Sequence, residues 1–212
     1  MRAFIYTGGQ INAKNITEQP TSEDITIAAD SGYENAKLLG IKPDVLLGDF
    51  DSIARNELNG VPTNTEIITL PAKKDFTDTH FAVETALQKG ANEIIIIGGL
   101  GGRLDHTLSN LAILEDMYAS KIRAIITSGD NRARYLKNDS IIIMNCAYKY
   151  ISLLARDEKV KGVTIEGCKY PLKNATLTSR YQYAVSNEID GNCTFISVRK
   201  GGLLIVESND KL

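Results

Sequence analysis

Cysteine is scarce in this 212-residue chain: Cys146, Cys168 and Cys193 are odd in number and widely spaced. They form no CxxC pair and have no partnering histidine cluster, which argues against both a disulfide framework and a zinc site. Long apolar runs are also missing. No stretch reaches the ~20 residues needed to span a bilayer, and the opening MRAFIYTGGQ has no extended apolar signal core. A cytoplasmic protein without membrane contact is expected. Charge of one sign is not in excess either. A formal net charge of -2 provides no general attraction for nucleic acid or anionic lipid. Several motifs are absent: GxxxxGK[ST], GxGxxG, the HRD set of protein kinases and the GxSxG elbow. With only His80 and His106 present, a Ser-His-Asp hydrolase has little support. The cysteines read as small core residues rather than nucleophiles.

What is present describes an ordinary globular protein, with 43% hydrophobic and 24% charged residues. The length suits one large domain or two small ones. In the first part, short apolar runs at Ala3–Tyr6, Ile25–Ala29, Val45–Leu47, Ile67–Leu70, Ile94–Ile97 and Arg123–Thr127 alternate with helix-like segments. Those segments lie around Tyr33–Leu39, Ile53–Leu58, Asp78–Lys89 and Asp105–Ala119; Thr77 can cap the third and Gly90 follows its last turn. The runs are unbroken and isoleucine-rich, as in strands covered on both faces, which predicts an α/β domain with a mainly parallel, Rossmann-like sheet over residues 1–135. From about residue 136 the pattern changes to short β-type runs at Ser140–Met144, Tyr150–Ala155, Val160–Ile165, Ala175–Thr178, Asn192–Arg199 and Leu203–Glu207. Turn residues punctuate them and no helix-length segment intervenes, so an all-β antiparallel sandwich is expected over residues 136–212.

In an open parallel sheet, ligands bind beyond the carboxyl ends of the strands. There the sequence delivers Asp30, then Asp49-Phe50-Asp51, then Lys74-Asp75-Phe76-Thr77-Asp78, and finally Gly98–His106 with Arg103 and Asp105. Crowded acids need a strong cation to be tolerated, and oxygen-only ligands favour Mg²⁺, which takes one or two carboxylates plus substrate phosphates. Asp49 and Asp51 are the first candidates as ligands, with Asp78 completing the set. A single Asp-x-Asp after a strand also serves as a turn or cap; the repetition after consecutive strands is what favours a site. Gly99, Gly101 and Gly102 allow close backbone approach to phosphate, and Arg103 adds a planar donor fork.

Together, ADSG at 29–32, PDVLLGDFDS at 43–52, KDFTD at 74–78 and GGLGGRLDHT at 98–107 resemble the signature set of the thiamine pyrophosphokinase family. GCKYPL at 167–172 and SNE at 186–188 are similar to its C-terminal pattern. The resemblance implies an α/β catalytic domain followed by a β-sandwich. It also implies a homodimer holding thiamine between the catalytic domain of one subunit and the sandwich of the other. The implied reaction moves a diphosphate from ATP to thiamine's hydroxyl and releases AMP. By the same resemblance Asp49, Asp51 and Asp78 match metal-binding acids, and Asp30, Asp75, Arg103 and Asp105 match other catalytic positions. Lys74, Gly99, Gly101, Gly102, Arg103 and Thr127 are assigned to the nucleotide; Asp75, Tyr170, Ser186 and Asn187 are assigned to thiamine. Which of Asp30, Asp75 and Asp105 handles the hydroxyl proton stays open, as does the role of His106. Two rivals remain at this level: a haloacid-dehalogenase-like phosphohydrolase built on Asp49-Phe50-Asp51, and a non-catalytic nucleotide-binding module.

Overall fold

Two units, Met1–Gly129 and Asp130–Leu212, make up the chain. The computed structural model describes residues 1–49, 61–71 and 76–210. The expected helix at Ile53–Leu58, together with Asp51, Lys74 and Asp75, lies outside the described residues.

Among the described residues the first unit holds the strands β1 (Arg2–Tyr6), β2 (Ile25–Ala29), β3 (Val45–Gly48), β4 (Glu66–Thr69), β5 (Glu93–Ile97) and β6 (Arg123–Thr127). They pair in parallel in the order β4-β3-β2-β1-β5-β6. Helices α1 (Gly32–Leu38), α2 (Asp78–Gln88) and α3 (Leu104–Ala119) connect β2 to β3, β4 to β5 and β5 to β6. Thr77 caps α2, its hydroxyl accepting from the His80 amide at 3.3 Å. Phe4, Tyr6, Ala28, Tyr33, Ala36, Leu46, Ile95 and Ile97 form one buried cluster between sheet and helix. Each large apolar side chain so enclosed contributes about 1.5–3 kcal/mol. The edge strand β4 differs from the expectation of strands covered on both faces. Ile67 is 50% exposed, and among the described residues β4 pairs on one side only, with β3.

The second unit holds β7 (Asn131–Lys137), β8 (Ser140–Met144), β9 (Tyr150–Ala155), β10 (Lys159–Glu166), β11 (Leu172–Thr178), β12 (Cys193–Ser197) and β13 (Gly202–Ser208). They make two antiparallel arrangements, β7-β13-β9 and β11-β10-β12-β8. Burial alternates along β9, β10 and β12, so Ile151, Leu153, Val160, Ile165 and Ile196 point into the core while their neighbours face outward. Strand β7 was not among the sequence expectations. Its run NRARYLK carries three cations in seven residues, and two of them meet an acid from inside: Arg132 and Arg134 both donate to the Glu207 carboxylate, at 2.6–2.9 Å, while the buried Arg134 Nε has no hydrogen-bond partner among the described residues.

Candidate active site

The chain adds β2, β3 and β4 on one side of β1 and then returns to place β5 on the other. The switch therefore falls between β1 and β5, where an open parallel sheet leaves a crevice at its carboxyl edge. Both strands end in glycine pairs there, Gly8-Gly9 and Gly98-Gly99. The loops touch backbone to backbone: a Cβ on Gly9 would sit 2.1 Å from the Gly98 carbonyl oxygen. Hydrogen bonds hold them from behind. The Asn35 side-chain amide of α1 donates to the carbonyls of Thr7 (2.6 Å) and Gly9 (2.8 Å), and the buried Asn110 of α3 donates to that of Gly99 (2.9 Å). The Gly98 amide donates to Thr127 O at 2.9 Å. Gly101 and Gly102 follow at φ +92 and +70, a turn that L side chains resist. Thr107 closes this turn by accepting from the Gly101 amide at 3.1 Å.

A cavity of about 490 Å³ opens over these loops. Asp30, Asp49 and Asp78 line it together with Gly99, Gly101, Gly102, Arg103 and His106. Asp30 has left-handed backbone (φ +50), and its amide is tied to Leu47 O at 2.7 Å. Its Oδ1 is buried with no hydrogen-bond partner among the described residues. A buried oxygen in that condition is destabilising unless a cation or a donor completes it. Asp78 sits in the first turn of α2, where the helix dipole favours a carboxylate. Asp105 is not among the lining residues. It is exposed and grips Arg103 in two places, with Nε to Oδ1 at 3.2 Å and Nη2 to Oδ2 at 2.6 Å. That fork lowers the Asp105 pKa below the usual carboxylate value and raises that of Arg103.

Among the described residues no three acidic, histidine or cysteine groups converge closely enough to hold a metal on their own. The donors around the cavity are oxygen-rich, with the carboxylates of Asp30, Asp49 and Asp78 among its lining residues. This donor set fits Mg²⁺, which relies on few carboxylates and completes its sphere with phosphates and water. Thr127 is fully buried and does not line the cavity; its hydroxyl accepts from the Gly129 amide at 3.1 Å.

The second unit contains a separate, largely apolar cavity of about 290 Å³, lined by Ile151, Leu153, Ile165, Tyr170, Tyr183 and Asn187 among others. Tyr170 and Asn187 are thus brought together. Tyr170 is 68% exposed and Asn187 is buried. Ser186, in left-handed backbone, donates its amide to Ser152 Oγ at 3.0 Å and is not among the lining residues.

Sequence reasoning passed over Thr7–Gln10, which line the first cavity, and Asn35 and Tyr183. Thr7-Gly8-Gly9-Gln10 carried a readable signal, since a buried strand running into paired glycines is the same signature as at Gly98-Gly99. Asn35 carried none, because a single asparagine within a helical segment has no local mark.

Residues 17–126 match the model of the thiamin pyrophosphokinase catalytic domain, and residues 139–203 match that of the thiamin pyrophosphokinase vitamin B1 binding domain. Thiamine pyrophosphokinase of Bacillus subtilis (strain 168) is 30% identical over 209 residues, covering 97% of this chain and 98% of that relative. The crystal structure of thiamine pyrophosphokinase from Bacillus subtilis matches with a TM-score of 0.88 at 28% identity, over 100% of both chains. That of thiamin pyrophosphokinase from Geobacillus thermodenitrificans matches with a TM-score of 0.86 at 27% identity, over 100% of this chain and 99% of the other.

Proposed function

The chain belongs to the thiamin pyrophosphokinase family, and we propose that it transfers a diphosphate from ATP to the hydroxyl of thiamine, giving thiamine diphosphate and AMP. The observation that carries this reading is the meeting of Asp30, Asp49, Asp78, Arg103 and two glycine loops on one cavity at the switch point of a parallel sheet.

The glycine loops and Arg103 bind and orient the triphosphate, through backbone approach and a permanently charged fork. Gly99, Gly101 and Gly102 supply the approach; Lys74 is assigned to the nucleotide as well, and Thr127 acts through the loop it holds. Asp49 and Asp78 hold Mg²⁺ together with Asp51, and the ion when bound neutralises charge on the ATP phosphates. The thiamine hydroxyl oxygen attacks the β-phosphorus, the bond from that phosphorus to the α,β-bridging oxygen breaks, and AMP leaves. The hydroxyl proton passes to a carboxylate. Asp30 is taken as the acceptor over Asp105, because Asp30 lines the cavity whereas Asp105 is exposed and engaged by Arg103; Asp75 is assigned to orienting thiamine. Arg103 moves from Asp105 to the departing phosphates as charge develops there.

The first and second units are read as the catalytic and thiamine-binding domains, the division falling before β7 rather than at residue 135. Thiamine's rings occupy the apolar cavity beside Tyr170, whose ring offers a face to the thiazolium cation; Ser186 shapes that rim. A homodimer, with thiamine shared between the catalytic domain of one subunit and the sandwich of its partner, completes the reading, supported by the resemblance of the motif set. Three free cysteines suit the reducing cytoplasm. Purified protein supplied with ATP, Mg²⁺ and thiamine is expected to release AMP and thiamine diphosphate in equal amounts. Release of ADP with thiamine monophosphate, or of phosphate without thiamine, overturns the reading.

A further inference from the structure

Asn187 lines the apolar cavity, yet its amide faces the protein. Its own backbone is committed on one side, where its N–H donates to Ile151 O at 3.0 Å and its carbonyl accepts from Ile151 N at 2.8 Å. On the other side, residues 187–190 run antiparallel to 167–170. The Asp190 amide donates to Gly167 O at 2.9 Å, Cys168 bridges Ile189, and the Lys169 amide donates to Glu188 O at 2.9 Å. Tyr170 is the next position along this ladder. Asn187 has no backbone group left to meet it, and its side chain replaces one. Oδ1 accepts from the Tyr170 amide at 3.0 Å, and Nδ2 donates to the Tyr170 carbonyl at 2.7 Å. Oδ1 also accepts from the Glu188 amide at 3.0 Å. Three of the four bonds open to the amide are therefore made within the chain.

Beyond Tyr170 comes Pro171, which has no N–H to extend the ladder. Tyr170 is 68% exposed, so little packing orients its side chain. Its direction follows from the backbone, and the Asn187 amide holds that backbone at both its donor and its acceptor.

We propose that Asn187 is a positioning residue for Tyr170, setting the aromatic face against thiamine, rather than a hydrogen-bond partner of thiamine itself. This rests on the reading that thiamine occupies the cavity. The geometry predicts a particular non-additivity, because removing Asn187 matters only while the ring it positions is present.

The test is a double-mutant cycle in the full chain, read as the KM for thiamine and, separately, the KM for ATP. Tyr170→Ala is expected to raise the thiamine KM about ten-fold, as loss of an aromatic contact worth about 1–1.5 kcal/mol does. Asn187→Ala is expected to raise it about five-fold by loosening the same contact, with the ATP KM unmoved. In the Tyr170→Ala background, Asn187→Ala should add less than about two-fold. Multiplicative effects would show that Asn187 acts on thiamine independently and overturn the proposal. A Tyr170→Ala variant with an unchanged thiamine KM would instead overturn the placement of thiamine in this cavity. A measurement on the unaltered protein guards against a variant that fails to fold. The Tyr170 amide should exchange slowly with solvent although its side chain is exposed, and rapid exchange would mean that the clamp does not form.

Discussion

Gly9→Ala adds one methyl group at the point where the two glycine loops meet. The new carbon would lie 2.1 Å from the Gly98 carbonyl oxygen and 3.1 Å from its carbonyl carbon, where ordinary contact begins at 3.4 Å. The obstacle is backbone, so no rotamer change relieves it. One loop has to retreat by roughly 1 Å before dispersion contact becomes favourable again. Neither loop is free to do so cheaply. Thr7 N donates to Ile97 O at 2.9 Å, Gly98 N to Thr127 O at 2.9 Å, and the Asn35 amide grips Thr7 and Gly9. Overpacking of this kind costs about 1–3 kcal/mol of stability, which leaves a folded domain. Displacement of the phosphate cradle by about 1 Å should lower kcat/KM for ATP roughly 100-fold. The assay follows AMP release at saturating thiamine across an ATP titration, alongside a thermal melt. Gly90→Ala is the matched control: it lies outside the cavity, no atom lies within 4 Å of its added carbon, and only its φ of +90 opposes the change. It should cost about 1–2 kcal/mol of strain and less than ten-fold in kcat/KM. A Gly9→Ala enzyme within about three-fold of the parent would refute the view that the contact between the loops shapes the site.

Two further outcomes follow from other parts of the molecule. Asp78→Asn keeps the Thr77 cap of α2 and removes one carboxylate from the cavity; kcat should fall by about 100-fold or more with the melting temperature little changed, and normal turnover would remove Asp78 from the metal-binding set. Glu207→Gln removes the carboxylate that Arg132 and Arg134 share, with side chains 12% and 19% exposed. Burial already pushes the Arg134 pKa down, and loss of its carboxylate partner should cost about 3–5 kcal/mol in urea unfolding; a loss below about 1 kcal/mol would show that the cluster is relaxed by solvent.

Order along the chain was enough to determine the alternation of strand and helix, the change to β structure in the second half, and the acids that follow successive strands. These are local properties. An unbroken isoleucine run at Ile94–Ile97 reads as a doubly covered strand, and Thr77 and Gly90 mark the ends of a helix, without reference to anything distant. Strand order, by contrast, is not a local property. Only the fold put β1 beside β5 and so joined Gly8-Gly9 to Gly98-Gly99, 90 residues apart, at one crevice. Only the fold showed that Arg132 and Arg134, which make β7 look like a surface segment, are inward-facing partners of Glu207. Asn187 shows the same division. Its place in SNE marked it as a candidate for contact with thiamine, and the ladder around it turned its amide toward Tyr170, because a side chain bonds to whatever groups the surrounding backbone leaves unpaired.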